Sequence, residues 1–232
     1  MAAQQAGSVK GVVDMIFLVD STGSMESFID ALKTGISTFI NTLTTSDPQN
    51  PRPIRDWRGK VVGYRDVRAD GADWLVNPPF VTDTASLQAQ LGALDAKGGG
   101  DQPESLLDAL WVLAGSGQGD AGQPEPFRWR HSSEAARVII AFADTAPHAT
   151  LHLPEAAGGG VDDVKMQLVN NRIRTILYAP DGDVFAELGG ARGVVHEPIE
   201  DLTEFSRNTE AFTEALKALA KTVSVIPEPP AL

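Results

Sequence analysis

The chain has 232 residues, 42% of them hydrophobic, with a formal net charge of −12 and no cysteine. That length and apolar content suit one well-buried domain. The acidity argues against a general binder of nucleic acid or anionic membrane, and the missing cysteines exclude disulfide frameworks and thiolate metal sites.

Residues 1–11 read as a polar arm without the charged start and long apolar core of an export signal. The first apolar run, from Val12 to Val19, is too short to span a membrane and contains Asp14. A cytoplasmic protein with no membrane segment is the expectation. That run is rich in β-branched and aromatic residues and reads as a buried strand. It stops at Asp20, and hydroxyls follow at alternate positions, Thr22 and Ser24, with Gly23 turning the chain between them. Ligands of open α/β sheets sit outside the carboxyl ends of the strands. One carboxylate and two hydroxyls placed there would suit a hard cation such as Mg²⁺.

Phe28, Leu32, Ile36, Phe39, Ile40 and Leu43 recur at helical spacing and predict an amphipathic helix packed on the sheet. Residues 44–55 form a polar, Pro-bearing loop. A second strand is expected over Trp57 to Asp66, ending in Gly63-Tyr64-Arg65-Asp66. Trp74 to Val81 reads as an edge strand, since Pro78 and Pro79 cannot sit in a central one. Leu87, Leu91 and Leu94 mark a helix over residues 82–94. Then comes Gly98-Gly99-Gly100-Asp101-Gln102-Pro103-Glu104, where Pro103 suits a first helical turn. Leu106, Leu107, Leu110 and Leu113 continue as a buried helical face. Residues 115–133 make a long connection whose Phe127-Arg128-Trp129-Arg130-His131 segment is a candidate partner contact.

Arg137 to Phe142 is the next buried strand and runs into Ala143-Asp144. A helix over residues 161–171, a strand over 173–178, a short helix near 184–188 and a last short strand over 194–196 follow. A closing helix from Leu202 to Val223 buries Phe205, Phe212, Leu216, Leu219 and Val223. The Pro-rich residues 225–232 read as a tail. Strands alternating with helices imply a mostly parallel sheet with helices on both faces.

Three strand-end loops now carry oxygen ligands: Asp20-Ser21-Thr22-Gly23-Ser24, Gly99-Gly100-Asp101-Gln102-Pro103-Glu104 and Phe142-Ala143-Asp144-Thr145-Ala146-Pro147-His148. In that order they resemble the von Willebrand factor type A (VWA) domain family, over roughly Val12 to Val223. The resemblance implies an α/β, Rossmann-like, doubly wound six-stranded sheet with one antiparallel edge strand, forming a domain over residues 12–224. It also implies a metal-ion-dependent adhesion site (MIDAS) at the top of the sheet. Pro-Glu in the second loop looks most like the VWA modules of integrin β chains and those found beside alpha-kinases, and Gly63-Tyr64-Arg65-Asp66 and Trp129-Arg130 look like the latter. An ATPase- or kinase-associated complex is therefore an expected setting. In the integrin β pattern Asp66 and Asp101 would match ligands of a neighbouring second cation site, although the asparagine that helps there is Gly99 here.

Mg²⁺ prefers six oxygens and gives up water reluctantly. Thr22, Ser24 and Glu104 could bind it directly, with Asp20 and Asp144 holding bound waters; Mn²⁺ or Ca²⁺ could replace it. One coordination position would remain for an Asp or Glu of a protein partner, with Asp66, His148 and the Phe127–His131 segment as rim candidates. On this reading the protein is a binding module and not an enzyme. The competing reading is a haloacid-dehalogenase-type phosphotransferase with Asp20 as nucleophile and late ligands from residues 160–165. That chemistry needs an acid two residues on, where Thr22 stands. A zinc hydrolase built on His148 and His152 lacks the glutamate of a zinc-protease helix.

Overall fold

The computed structural model describes residues 11–45, 54–98, 103–115 and 127–224. The Pro-rich tail, nearly all of the amino-terminal arm and Asp101 lie outside the described residues. Six strands form one sheet: β1 (Val12–Asp20), β2 (Asp56–Tyr64), β3 (Leu75–Val76), β4 (Ala136–Phe142), β5 (Ile173–Ala179) and β6 (Val194–Pro198), in the order β3-β2-β1-β4-β5-β6. Every pairing is parallel except β2 with β3. The sheet is thus mixed and Rossmann-like, with a single antiparallel edge strand.

Both faces of the central strands are covered, so β1 is a continuous apolar run and not an alternating one. On one face lie α1 (Glu26–Thr44), α3 (Thr84–Ala93), α7 (Leu202–Arg207) and α8 (Thr209–Ser224). Phe17 and Val19 of β1 pack there with Phe28, Leu32, Phe39, Leu91 and Leu216. The other face carries α4 (Leu106–Gly115), α5 (Val161–Asn170) and α6 (Asp183–Gly189). Ile16 and Leu18 meet Leu107, Leu110, Val164 and Phe185 there. Each such buried side chain contributes roughly 1.5–3 kcal/mol of transfer free energy. A short helix, α2 (Val67–Asp70), follows β2.

Several elements differ from expectation for local reasons. The edge strand contracts to Leu75–Val76 plus a bridge between Gly59 and Val81, because Pro78 and Pro79 offer no N–H to a ladder between them. Glu104 does not open a helix; it bridges to Pro147 in the third loop, and α4 begins only at Leu106. The closing helix breaks at Asn208, whose Oδ1 accepts from the Ala211 N–H and so caps the second piece. Asp66 does not end a strand but caps α2 by accepting from the Arg68 N–H.

Asp14 is wholly buried in mid-strand, and the structure explains why it is tolerated. Arg58 donates to Oδ1 at 3.0 Å and Oδ2 at 2.6 Å, and Arg130 adds its backbone N–H and Nε, both at 2.7 Å. Trp129 beside it is buried and donates Nε1–H to the Leu113 carbonyl. The Phe127–His131 segment is therefore fastened to β1 six residues before Asp20, roughly 20 Å down the strand. It lies toward the opposite end of the sheet from the site, so the expectation of a rim contact there is corrected. Among the described residues no helix is long and apolar enough to cross a membrane.

Candidate functional site

Strand order reverses between β1 and β4, and the loops after these two strands flank the point where open α/β sheets take ligands. Asp20 ends β1, and Asp144 stands two residues beyond β4. After Asp20 the chain enters a 3₁₀ turn, Gly23–Met25, before α1. Gly23 itself meets nothing within 4 Å of an added Cβ and has no positive φ, so this turn does not demand glycine. The glycine that matters is Gly63 on the neighbouring strand. A Cβ there would approach Leu94 Cδ2 to 2.7 Å and Ser21 Oγ to 3.1 Å, so the first loop packs against this strand at a distance that suits glycine.

Within that loop the Thr22 N–H donates to Asp20 Oδ1 at 2.9 Å, and the hydroxyls of Thr22 and Ser24 lie 3.2 Å apart. Thr22 is buried and Ser24 exposed, so the pair opens from the sheet edge toward solvent. Arg65, also buried, holds the loop from below. It donates to three carbonyls: Ser21 at 3.2 Å, Asp73 at 3.2 Å and Asp95 at 2.6 Å. The second loop is joined to the third by the bridge between Glu104 and Pro147 and by the His148 N–H, which donates to the Glu104 carbonyl at 2.9 Å. Gly98 is left-handed at φ +74°, and a Cβ there would strike Asp70 Oδ1, so the glycine run begins where glycine is required.

The three loops thus bring Asp20, Glu104 and Asp144 together, and each keeps one buried oxygen without a partner among the described residues: Asp20 Oδ2, Glu104 Oε2 and Asp144 Oδ1. Burial pushes the Asp20 carboxyl up to about 7; the Thr22 N–H opposes this and the charge of Asp144 adds to it. Burial likewise pushes Glu104 up to about 8, with further push from Asp20, Asp66, Asp70 and Asp144. Such a cluster is costly unless something positive compensates it. Among the described residues no group of three or more His, Asp or Glu side chains is placed to hold a metal ion by itself. The candidate donor set is of another kind, two hydroxyls in the same loop as Asp20 with the carboxylates of Glu104 and Asp144 within electrostatic reach, and its orphaned oxygens fit a hydrated cation.

The remaining candidates fall around this centre. Asp66 is buried; its Oδ1 accepts from the Arg68 N–H and from Ser105 Oγ at 3.2 Å, with His148 Nε2 3.4 Å away. His148 is buried as well, so both back the site instead of forming an open rim. The His152 N–H and the Leu153 N–H donate to the buried Asp108 at 2.8 and 3.0 Å, and the two histidine rings meet edge to face at 4.3 Å. Asp162 pairs with Lys165 at 2.6 Å and Asp163 accepts from the Gly160 N–H at 2.8 Å, so both acids are engaged locally. Sequence reasoning passed over Asp70, Arg65 and Tyr64. Asp70 follows Asp66 at helical i, i+4 spacing, and Tyr64 and Arg65 sit inside the quoted Gly63–Asp66 stretch.

No family model and no curated protein matches this chain in sequence. Solved structures do match it in fold. Proximal thread matrix protein 1 from the mussel byssus superposes with a TM-score of 0.56 at 12% identity, over 91% of this chain and 46% of that one. A second structure of the same mussel protein gives 0.52, again over 91% of this chain. The pilus adhesin SpaC from Lactobacillus rhamnosus GG gives 0.53 at 12% identity, over 88% of this chain and 30% of the adhesin. The chain spans less than half the length of these proteins, and identity this low speaks for architecture alone. What these likenesses show is the fold alone, an α/β Rossmann-like sheet flanked by helices.

Proposed function

We propose that this chain is a VWA-type interaction module that holds one divalent cation, Mg²⁺ in the cell, and captures an acidic side chain of a protein partner. One observation carries the reading: the loops after β1 and β4 and the connection between α3 and α4 bring Asp20, Asp144 and Glu104 within electrostatic reach of one another at the switch point, each with an unpartnered buried oxygen, and the first loop adds the paired hydroxyls of Thr22 and Ser24. Thr22, Ser24 and Glu104 are the direct ligands, and Asp20 and Asp144 hold waters and orient the hydroxyls. When bound, the cation supplies a Lewis-acidic position for a carboxylate. Two neutral ligands leave its charge only partly balanced, which favours an incoming Asp or Glu. No bond is broken, and Thr22 stands where a phosphotransferase would need its acid. The VWA-like fold shared with a matrix protein and an adhesin supports an interaction role.

The test is a calorimetric titration of chelator-stripped protein with Mg²⁺. Saturable heat in the native protein, absent in Asp20→Ala, is expected; equal heats in both would sink the reading. A pull-down should release the partner on adding chelator, and Thr22→Ala should weaken capture while leaving the fold intact.

A further inference from the structure

Tyr64 is the largest fully buried side chain of the core, and its hydroxyl has no hydrogen-bond partner among the described residues. It lies in register with Asp20 across the parallel β1–β2 pair, so both side chains leave the sheet on the same face. It belongs to the same apolar core as Val62, Phe80 and Leu106. A phenylalanine would fill that volume without burying an O–H, and an unsatisfied buried hydroxyl costs roughly 1–3 kcal/mol. The charged groups that reach the phenol are Asp20, Asp144 and Glu104, the same three carboxylates of the candidate site. After burial itself, they push its ionisation well above the ordinary value, so the group stays a donor and cannot serve as a phenolate ligand. One orphaned donor and three orphaned acceptors thus lie within electrostatic reach of one another, with no hydrogen bond from the hydroxyl to any of the three.

We infer that Tyr64 is a positioning residue of this site: its hydroxyl, unpartnered in the metal-free fold, donates to the oxygens of Asp20, Glu104 and Asp144 once a cation draws them together. The inference rests on the cation reading above and adds a neutral donor to it. By fixing which carboxylate oxygens turn toward the cation, Tyr64 raises affinity without touching the partner.

The experiment uses the whole chain and Mg²⁺ alone. Tyr64→Phe should bind Mg²⁺ about tenfold more weakly, the usual scale for losing an outer hydrogen bond to a ligand. Metal-free Tyr64→Phe should unfold at the same or higher denaturant concentration, because the buried orphan is gone; a merely structural tyrosine would give the reverse. The chain has two tyrosines and four tryptophans, so Tyr178→Phe with ring-labelled tyrosine isolates Tyr64 in the infrared, and Mg²⁺ should produce a labelled tyrosine difference band in that variant. Loss of affinity in Tyr64→Phe together with that band supports the inference. Unchanged affinity in Tyr64→Phe, or no band in Tyr178→Phe while Mg²⁺ binds, overturns it and leaves the cation reading standing. No Mg²⁺ binding by the native protein overturns both.

Discussion

At the scale of single residues, the buried charged groups divide into those that are satisfied and those that are not. Asp14 accepts four hydrogen bonds from two arginines and is a completed internal ion pair. Removing one partner of such a group leaves the other charge stranded, typically at 3–5 kcal/mol. Asp14→Ala should therefore lower unfolding stability by about 3–5 kcal/mol in chemical denaturation, with Mg²⁺ affinity of the protein that remains folded unchanged. Arg65 differs in donating to backbone carbonyls, those of Ser21, Asp73 and Asp95. Arg65→Met would leave those carbonyls short of a donor, at roughly 1–3 kcal/mol, and loosen the Ser21 end of the first loop. Here stability and Mg²⁺ affinity should fall together, which separates a residue that holds the site from one that only holds the sheet.

At the scale of elements, what was legible depended on whether the signal was local. Asp20 and Asp144 could be found because each closes an apolar run, and Glu104 because it follows a glycine loop. The core helices were visible as periodic leucines and phenylalanines. Asp14 was invisible as a buried ion pair, since Arg58 and Arg130 lie 44 and 116 residues away. Tyr64 was hidden because only the β1–β2 register sets it beside Asp20. The split in the closing helix turned on one asparagine side chain, which competes with the backbone for helix ends. The crossing of α1 and α8 is another contact that sequence spacing does not reveal. An added Cβ on Gly35 would come 2.3 Å from Leu216 Cδ1 and 3.3 Å from Phe212 Cε1, both on α8. Alanine gains about 1 kcal/mol over glycine in helix propensity, but overpacking costs about 1–3 kcal/mol. Gly35→Ala should therefore destabilise by about 1 kcal/mol in denaturant titration. Combined with Leu216→Ala, the loss should be smaller than the sum by at least about 0.5 kcal/mol, the mark of direct contact.

At the scale of the whole molecule, the acidic cluster sets how stability follows pH. Asp20 and Glu104 ionise in the native state near 7 and 8, against 3.8 and 4.5 for the free groups. Burial is the first cause for both; Asp144 adds to it at Asp20, and Asp20, Asp66, Asp70 and Asp144 add to it at Glu104. A carboxyl whose pKa is raised by folding keeps its proton in the native state after the unfolded chain has released it. The native state then binds more protons, and stability falls as pH rises from about 4 through about 8. Lys60 acts with opposite sign and in another window. Burial lowers it to about 7, so it favours folding more as pH rises from 7 toward 10. Between pH 5 and 7 the two carboxyls dominate this contrast, and metal-free protein should lose stability across that interval. Glu104→Gln removes one of the two groups and should flatten the slope. Mg²⁺ requires the carboxylates deprotonated, so its affinity should climb over the same range. At 100 times Kd it adds about 2.7 kcal/mol, a modest increment to a sheet whose two apolar cores are complete without it. Denaturation curves at pH 5, 6, 7 and 8, with Mg²⁺ and with chelator, should therefore coincide at pH 5 and separate progressively above it. Curves that separate equally at every pH would show that the cation does not displace these protons, and neither Glu104 directly nor Asp20 through water would then hold it.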